Sequence, residues 1–331
     1  MGKGNSILVT GGAGYIGGQT VLALLDQGFE VCVLDDLSTG HRNDFLARTH
    51  FYEGRVHDQA LVKNVLVRHG IRSVLHFAGS IKVDESVSNP LKYYENNTEG
   101  SRALIEACVA GGVENFIFSS TAAVYGTTPG RPVSEKDTTF PLNPYGWSKL
   151  FTERLLEDVA ATGALKYGIF RYFNVAGADP DMRHGQYQEK PVHLIGRAID
   201  ALLGGAPPLT VFGKALATPD GTGVRDYIHV ADVADAHVAL LAYLEEGGES
   251  RRLNLGYGKG YSVLEVVTAL SEIAGRDVPC EFGAARAGEA PCVVANVAAL
   301  RGVLNWQPKH DTLGQILRHS LDWQEALAAK R

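Results

Sequence analysis

The chain has 331 residues, 45% hydrophobic and 21% charged, with a formal net charge of −6. That length can bury a full core and suits two domains, or one large α/β domain with an appended lobe, while the mild acidity excludes a general nucleic-acid-binding surface. No apolar run is long enough for a membrane span and no secretory h-region opens the sequence, so the expected location is cytoplasmic.

Ser6-Ile7-Leu8-Val9-Thr10 reads as a strand. It is followed at once by Gly11-Gly12-Ala13-Gly14-Tyr15-Ile16-Gly17-Gly18 and an apolar helix pattern to Leu25. Strand, glycine turn and helix in that order suit a dinucleotide pyrophosphate, whose charge sits on the N–H groups and positive end of the helix. The second strand, Glu30 to Leu34, ends in Asp35, 18 residues after Gly17. A carboxylate there can accept both adenosine-ribose hydroxyls and repels a 2′-phosphate, which favours NAD over NADP. His50 to Glu53 reads as a third strand and Gln59 to His69 as its helix. Ser73 to Gly79 reads as a fourth strand ending in small residues, and Pro90 to Ala110 as a long helix carrying Asn96 and Asn97. Glu114 to Thr121 is the fifth strand, and its end, Ser119-Ser120-Thr121, is rich in hydroxyls. Strands alternating with helices predict an α/β fold, a doubly wound Rossmann-type parallel sheet whose ligands lie beyond the carboxyl ends of its strands.

After a polar surface loop at residues 127–143, Pro144 suits the first turn of a helix bearing Tyr145 and Lys149. Residues four apart share a helix face, so the phenol and the ammonium can enter one cleft. A free tyrosine has a pKa of about 10, and lowering it to about 7 takes roughly 4 kcal/mol. A unit charge about 4 Å away in an effective dielectric of about 20 supplies that much before screening, and Lys149 and an oxidised nicotinamide are two such charges.

Beyond Phe173, the Gly/Asp/Pro-rich segment to Lys190 and the loop Gly213 to Gly223 are expected to lie outside the core and to cover a ligand. Arg225 and Arg286 suit a bidentate clamp on a nucleotide diphosphate, and Phe212 is placed to stack on a base. Helices at Ala231 to Glu245, Ser262 to Ala274 and Leu313 to Ala328 complete a smaller C-terminal α/β lobe. The expected division is a NAD-binding domain over residues 1–172, with a segment near 224–256 returning to it, and a lobe over 173–331 that mainly binds the second ligand. Cys32, Cys108, Cys280 and Cys292 form no C-x-x-C pair and the 11 histidines no H-x-x-x-H pair, so neither a disulfide nor a metal is expected. Residues 1–6 match the myristoylation pattern, but no polybasic second anchor follows.

The glycine turn, Ser119-Ser120-Thr121, the Tyr145/Lys149 pair and Arg171-Tyr172-Phe173-Asn174 together resemble the extended short-chain dehydrogenase/reductase superfamily. His76 to Gly79, Thr121 to Gly126, Asn143 to Gly146, Asp220 to Val230, Arg286 to Glu289 and Leu304 to Pro308 resemble, more narrowly, the UDP-glucose 4-epimerase family, nearly end to end. The resemblance implies reversible epimerisation at C4 of a UDP-hexose through a 4-keto sugar with tightly held NAD. Tyr145 would be the base, Lys149 would lower its pKa and hold the nicotinamide ribose, and Thr121 would bridge phenol and sugar. By the same resemblance Gly11, Gly14, Tyr15, Ile16, Gly17, Asp35, Asp36, Ser38, Thr39, Gly40, Val56, Phe77, Ala78, Gly79, Asn96, Ser119 and Tyr172 would contact NAD. Phe173, Asn174, His193, Leu194, Phe212, Arg225, Tyr227, Arg286, Glu289 and Val293 would contact the UDP-sugar. A homodimer through the helices near 90–110 and 145–162 is implied as well.

Several positions depart from the family pattern. Arg55 stands at a usually acidic site near the adenine, Ile81 at a frequent lysine, Thr121 at serine, Glu289 at aspartate and His193 at asparagine. Val293 is small where narrow-specificity members carry tyrosine, which leaves room for a 2-acetamido group. Ala122 and Ala123 occupy the positions where a related 4,6-dehydratase carries its Asp-Glu pair. A uronate or pentose 4-epimerase is the nearest alternative, and a non-catalytic NAD sensor is disfavoured because both Tyr145 and Lys149 are present.

Overall fold

Seven strands pair in parallel, and their order is Arg251–Leu255, Lys166–Tyr172, Asn115–Thr121, Ser73–His76, Ile7–Thr10, Val31–Asp35, His50–Glu53. The computed structural model describes residues 6–128, 130–187, 191–213, 216–284 and 290–330. The central strands are buried on both faces, as a parallel sheet wrapped by crossover helices requires. Alternation divides their side chains between two cores. Ile7, Val9, Val33, Leu75 and Ile117 join helices Tyr15–Asp26 and Val230–Glu245 on one side. Leu8, Cys32, Val74, Phe116 and Phe118 join Gln59–His69, Gly100–Ala110 and Pro144–Ala161 on the other.

The expected long helix over 90–110 is helical throughout but not uniform. Pro90–Tyr93 is α-helical, Tyr94–Glu99 is a π turn, and Gly100–Ala110 resumes the α-helix. The wider turn contains Asn97, which is buried and faces the helix Pro144–Ala161.

The remaining strands form two small sheets. Val224–His229 pairs in parallel with Asn174–Ala176 and Cys292–Val293 and antiparallel with Gly260–Ser262. Leu209–Phe212 pairs with Cys280–Gly283. Of the segment near 224–256, the first strand thus lies in the small sheet, while Val230–Glu245 packs under the large one and Arg251–Leu255 is its edge strand.

The segment after Phe173 corrects one expectation, since part of it is core. Asn174–Ala176 is a strand, and Ala178, Asp179 and His184 are fully buried. Burial of the Asp179 carboxylate is tolerated because it is satisfied, and His184 Nε2 lies 2.9 Å from the Tyr15 carbonyl. Asp179 accepts hydrogen bonds from Gln19 at 2.7 Å and from Arg183 at 2.9 and 2.8 Å. Among the described residues, no helix is long and apolar enough to cross a membrane. Residues 1–5, most of the acylation-like motif, lie outside the described residues.

Candidate active site

Thr10, Asp35, His76 and Thr121 end their strands on the same rim of the large sheet. At Gly11, φ is +73°, and a Cβ would lie 2.5 Å from the Ala78 nitrogen. At Gly17 a Cβ would lie 2.2 Å from the Gly11 carbonyl oxygen. Only glycine permits that approach between the first turn, the strand end at Phe77 and Ala78, and the first helix. Gly14 caps the helix Tyr15–Asp26 with no side-chain hydrogen bond, and the first turn carries no acidic residue. Its N–H groups and positive end therefore face the rim without a carboxylate to oppose an anion. Asp35, 8% exposed, accepts from the Ala13 and Leu37 amides at 2.9 Å each. Burial raises its pKa, and the two amides oppose that shift. Asp36 accepts from Ser38, Thr39 is exposed, and a Cβ on Gly40 would lie 2.9 Å from an Asp35 oxygen.

Asn143 accepts from the Gly146 amide at 2.9 Å and Pro144 occupies the first turn, which fixes where the helix Pro144–Ala161 starts. Tyr145 and Lys149 follow on one face. Lys149, 3% exposed, donates to the Ser119 carbonyl at 2.9 Å and sits 4.9 Å from the centroid of the Phe118 ring. Burial pulls its pKa down to about 8. A Cβ on Gly79 would lie 3.1 Å from the Asn97 side-chain oxygen and 3.4 Å from the Lys149 ammonium. Tyr145 shares a hydrogen bond with Thr121; its surroundings raise the phenol pKa through desolvation, and the Thr121 bond counteracts that.

A second phenol, Tyr172, lies in the same cluster and hydrogen-bonds to Ser119. Its proton is already committed. His237 Nδ1 lies 2.7 Å from the Val233 carbonyl and must carry the hydrogen there, which leaves Nε2 as an acceptor for the Tyr172 hydroxyl at 2.6 Å. Burial holds His237 neutral, with its pKa down to about 4. At Tyr145, by contrast, the Thr121 bond favours the ionised phenol.

The small lobe brings a second group together. Asn174 is in register with Tyr227, and Arg225 with Val293, across one sheet. Arg225 donates to the Val224 and Ala290 carbonyls, and Thr128 anchors the strand Cys292–Val293 through the Cys292 carbonyl at 2.8 Å. Phe173 and Tyr227 are buried; His193 is exposed and caps the helix Leu194–Leu202 without a side-chain bond. Phe212 ends a strand of the other small sheet. Arg286 and Glu289 lie outside the described residues.

The sequence model of the NAD dependent epimerase/dehydratase family matches residues 7–256. The chain belongs to that family. It is 49% identical over 321 residues to a UDP-glucose 4-epimerase of Azospirillum brasilense, covering 97% of this chain and 92% of that protein. Its fold superposes with a TM-score of 0.93 on a UDP-glucose 4-epimerase from Brucella ovis in complex with NAD, at 40% identity, covering 96% and 98% of the two chains. A UDP-Glc/GlcNAc 4-epimerase from Campylobacter jejuni superposes with a TM-score of 0.86 at 43% identity, covering 98% and 100%.

The NAD of this family fits the residues present: a glycine turn too tight for any Cβ, an uncapped helix start, and the Asp35 carboxylate held at the end of the next strand. Further positioning residues escape sequence reading. Asn97, beside the expected contact Asn96, accepts from the Ser80 amide at 2.7 Å and donates to the Ser80 carbonyl and Ser148 hydroxyl, both at 3.0 Å. Asn96 donates to the Ser80 hydroxyl at 3.0 Å. Their adjacency in a helix hides which of the two turns inward. Arg55, exposed, lies 3.4 Å from Glu95, and Val56 is buried behind it.

Proposed function

We propose that the chain interconverts UDP-glucose and UDP-galactose by removing and restoring hydrogen at C4 of the sugar, with Tyr145 as the base. The observation that carries this is the placing of a phenol hydrogen-bonded by Thr121 and a buried ammonium on one helix face at the rim of the large sheet. When bound, NAD supplies the hydride acceptor and donor for C4. Tyr145 takes the 4-hydroxyl proton and returns it after the 4-keto sugar has turned its other face. Thr121 hydrogen-bonds the phenol and supports its ionised form. Lys149, anchored on the Ser119 carbonyl, adds positive charge that offsets the cost of burying a phenolate. Gly11, Gly14, Gly17 and Asp35 would hold the dinucleotide. Asn174, Arg225, Tyr227 and Val293, in register on one small sheet, would hold the nucleotide sugar.

The test is incubation with UDP-galactose without added NAD, followed by product analysis, in the parent and in Tyr145→Phe. The variant is expected to lose about 10²–10⁴-fold in turnover while NAD extracted from it stays equimolar. A Tyr145→Phe enzyme within a few-fold of the parent would sink the assignment.

Two finer readings accompany this one. Val293, in register with Arg225, is a small side chain, and the Campylobacter jejuni relative is named for both UDP-Glc and UDP-GlcNAc, which supports turnover of N-acetylated sugars here. Val293→Tyr should then suppress UDP-GlcNAc turnover selectively. A homodimer through the helices near 90–110 and 145–162 is supported by apolar side chains exposed there, Leu91 at 77% and Phe151 at 44%. Light scattering of Leu91→Glu/Phe151→Glu should give half the parent mass.

A further inference from the structure

Glu30, His50 and His69 come together far from one another in sequence and on the opposite side of the large sheet from the nucleotide-binding rim. Glu30 immediately precedes the strand Val31–Asp35, His50 opens the edge strand His50–Glu53, and His69 closes the helix Gln59–His69. All three therefore sit where the strands begin, whereas the glycine turn and Asp35 lie where they end. His50 Nε2 is 2.9 Å and His69 Nδ1 3.8 Å from the same Glu30 oxygen, and one ligand atom from each of the three residues lies within 4.8 Å of the other two. The two imidazoles face each other at 4.4 Å between centroids, tilted by 35°.

Those distances suit a small cation. Bonds of about 2.0–2.1 Å to nitrogen and oxygen in a tetrahedral site separate ligand atoms by about 3.3 Å, between the two spacings observed. Two imidazoles and one carboxylate match a borderline-soft divalent ion such as Zn²⁺ and are a poor set for Ca²⁺ or Mg²⁺. A second observation orients one ligand. His69 Nε2 lies 2.7 Å from the Tyr52 hydroxyl, and the His69 side chain is only 9% exposed, so its ring is held in place. With hydrogen on Nε2 bonded to the phenol oxygen, Nδ1 presents its lone pair toward Glu30, the outer-shell arrangement usual for a metal-ligating histidine. Arg68 acts electrostatically on His69 from the same helix end.

We infer that Glu30, His50 and His69 form a surface site for a divalent zinc-class cation, with Tyr52 orienting His69. The ion ties the edge strand to the end of the following helix and to the turn before the second strand. It takes no part in the chemistry at the opposite rim.

The test is calorimetric titration of zinc sulfate into the chelator-stripped holoenzyme, with thermal unfolding and UDP-galactose turnover measured in parallel. The parent is expected to bind one zinc per chain and to unfold at higher temperature with it, at unchanged turnover. His50→Ala, at a residue half exposed and free to be removed without opening the core, should abolish that binding. Tyr52→Phe, which keeps every ligand, should weaken it by about tenfold or more. Zinc binding in the parent no tighter than in His50→Ala, or a turnover that requires zinc, would overturn the inference.

Discussion

The helix Pro144–Ala161 buries two charged side chains one turn apart and treats them in opposite ways. At its first turns Lys149 is 3% exposed, and among the described residues no carboxylate pairs with it; its ammonium rests on a carbonyl and an aromatic face. One turn on, Glu153 is 0% exposed and fully answered. Arg171 donates to its two oxygens at 3.0 and 2.6 Å, Ser120 donates to one of them, and the guanidinium lies over Tyr125 at 4.8 Å. A buried charge with a full set of partners fixes geometry, and a buried charge without a counter-ion keeps its field for whatever enters the cleft beside it. The second region is scaffold, and the first is poised for chemistry.

Breaking the scaffold pair should give the largest effect. Glu153→Ala leaves the Arg171 guanidinium uncompensated in the core, which costs about 3–5 kcal/mol in urea unfolding. Lys149→Met should do the reverse. It should lower turnover by about a thousandfold, the loss of one unit charge near the phenol at an effective dielectric of about 20, without destabilising the fold. If both variants lose stability equally, the contrast between the two turns is wrong.

The contrast sharpens with pH. The folded pKa of Lys149 is lowered from 10.5 to about 8, so the native chain binds fewer protons than the unfolded chain between those values. Stability therefore rises with pH across that window, and the cost of the buried ammonium, about 3 kcal/mol, is fully present below about pH 8. In nucleotide-stripped protein, Lys149→Met should be the more stable form at pH 7. The gap between variant and parent should close as pH approaches 10.5. A gap that does not change with pH would place the ammonium in contact with water.

Much of this arrangement was legible in the sequence because it is local. The strand ends, the glycine turn, Asp35 and the four-residue spacing of Tyr145 and Lys149 all fall within short stretches whose hydrophobic period announces them. What escaped depends on partners far apart in the chain. Tyr172 finds His237, Glu153 finds Arg171, and Asn97 finds Ser80 and Ser148, none of which has a spacing signature. The strand Asn174–Ala176 was hidden for a related reason. It is three residues long in a Gly/Asp/Pro-rich segment, and its identity comes from pairing with Val224–His229. The Glu30, His50 and His69 cluster is the extreme case, with Glu30 before one strand, His50 opening another and His69 ending a helix.

The smallest effect separates the two jobs of one hydroxyl. Thr121 accepts from the Ala123 amide at 3.1 Å, which closes the turn after the fifth strand, and it hydrogen-bonds Tyr145, which lowers the phenol pKa. Thr121→Val removes both. A single hydrogen bond is worth about 0.5–1.5 kcal/mol, so the acid limb of the turnover profile should move to higher pH by up to about one unit, with turnover at pH 7 down by up to about tenfold. Thr121→Ser keeps the hydroxyl and should leave both the limb and the rate near those of the parent. If instead Thr121→Val loses stability while its acid limb stays in place, the hydroxyl serves the turn alone, and Lys149 and the bound nucleotide must account for the ionisation of Tyr145 without it.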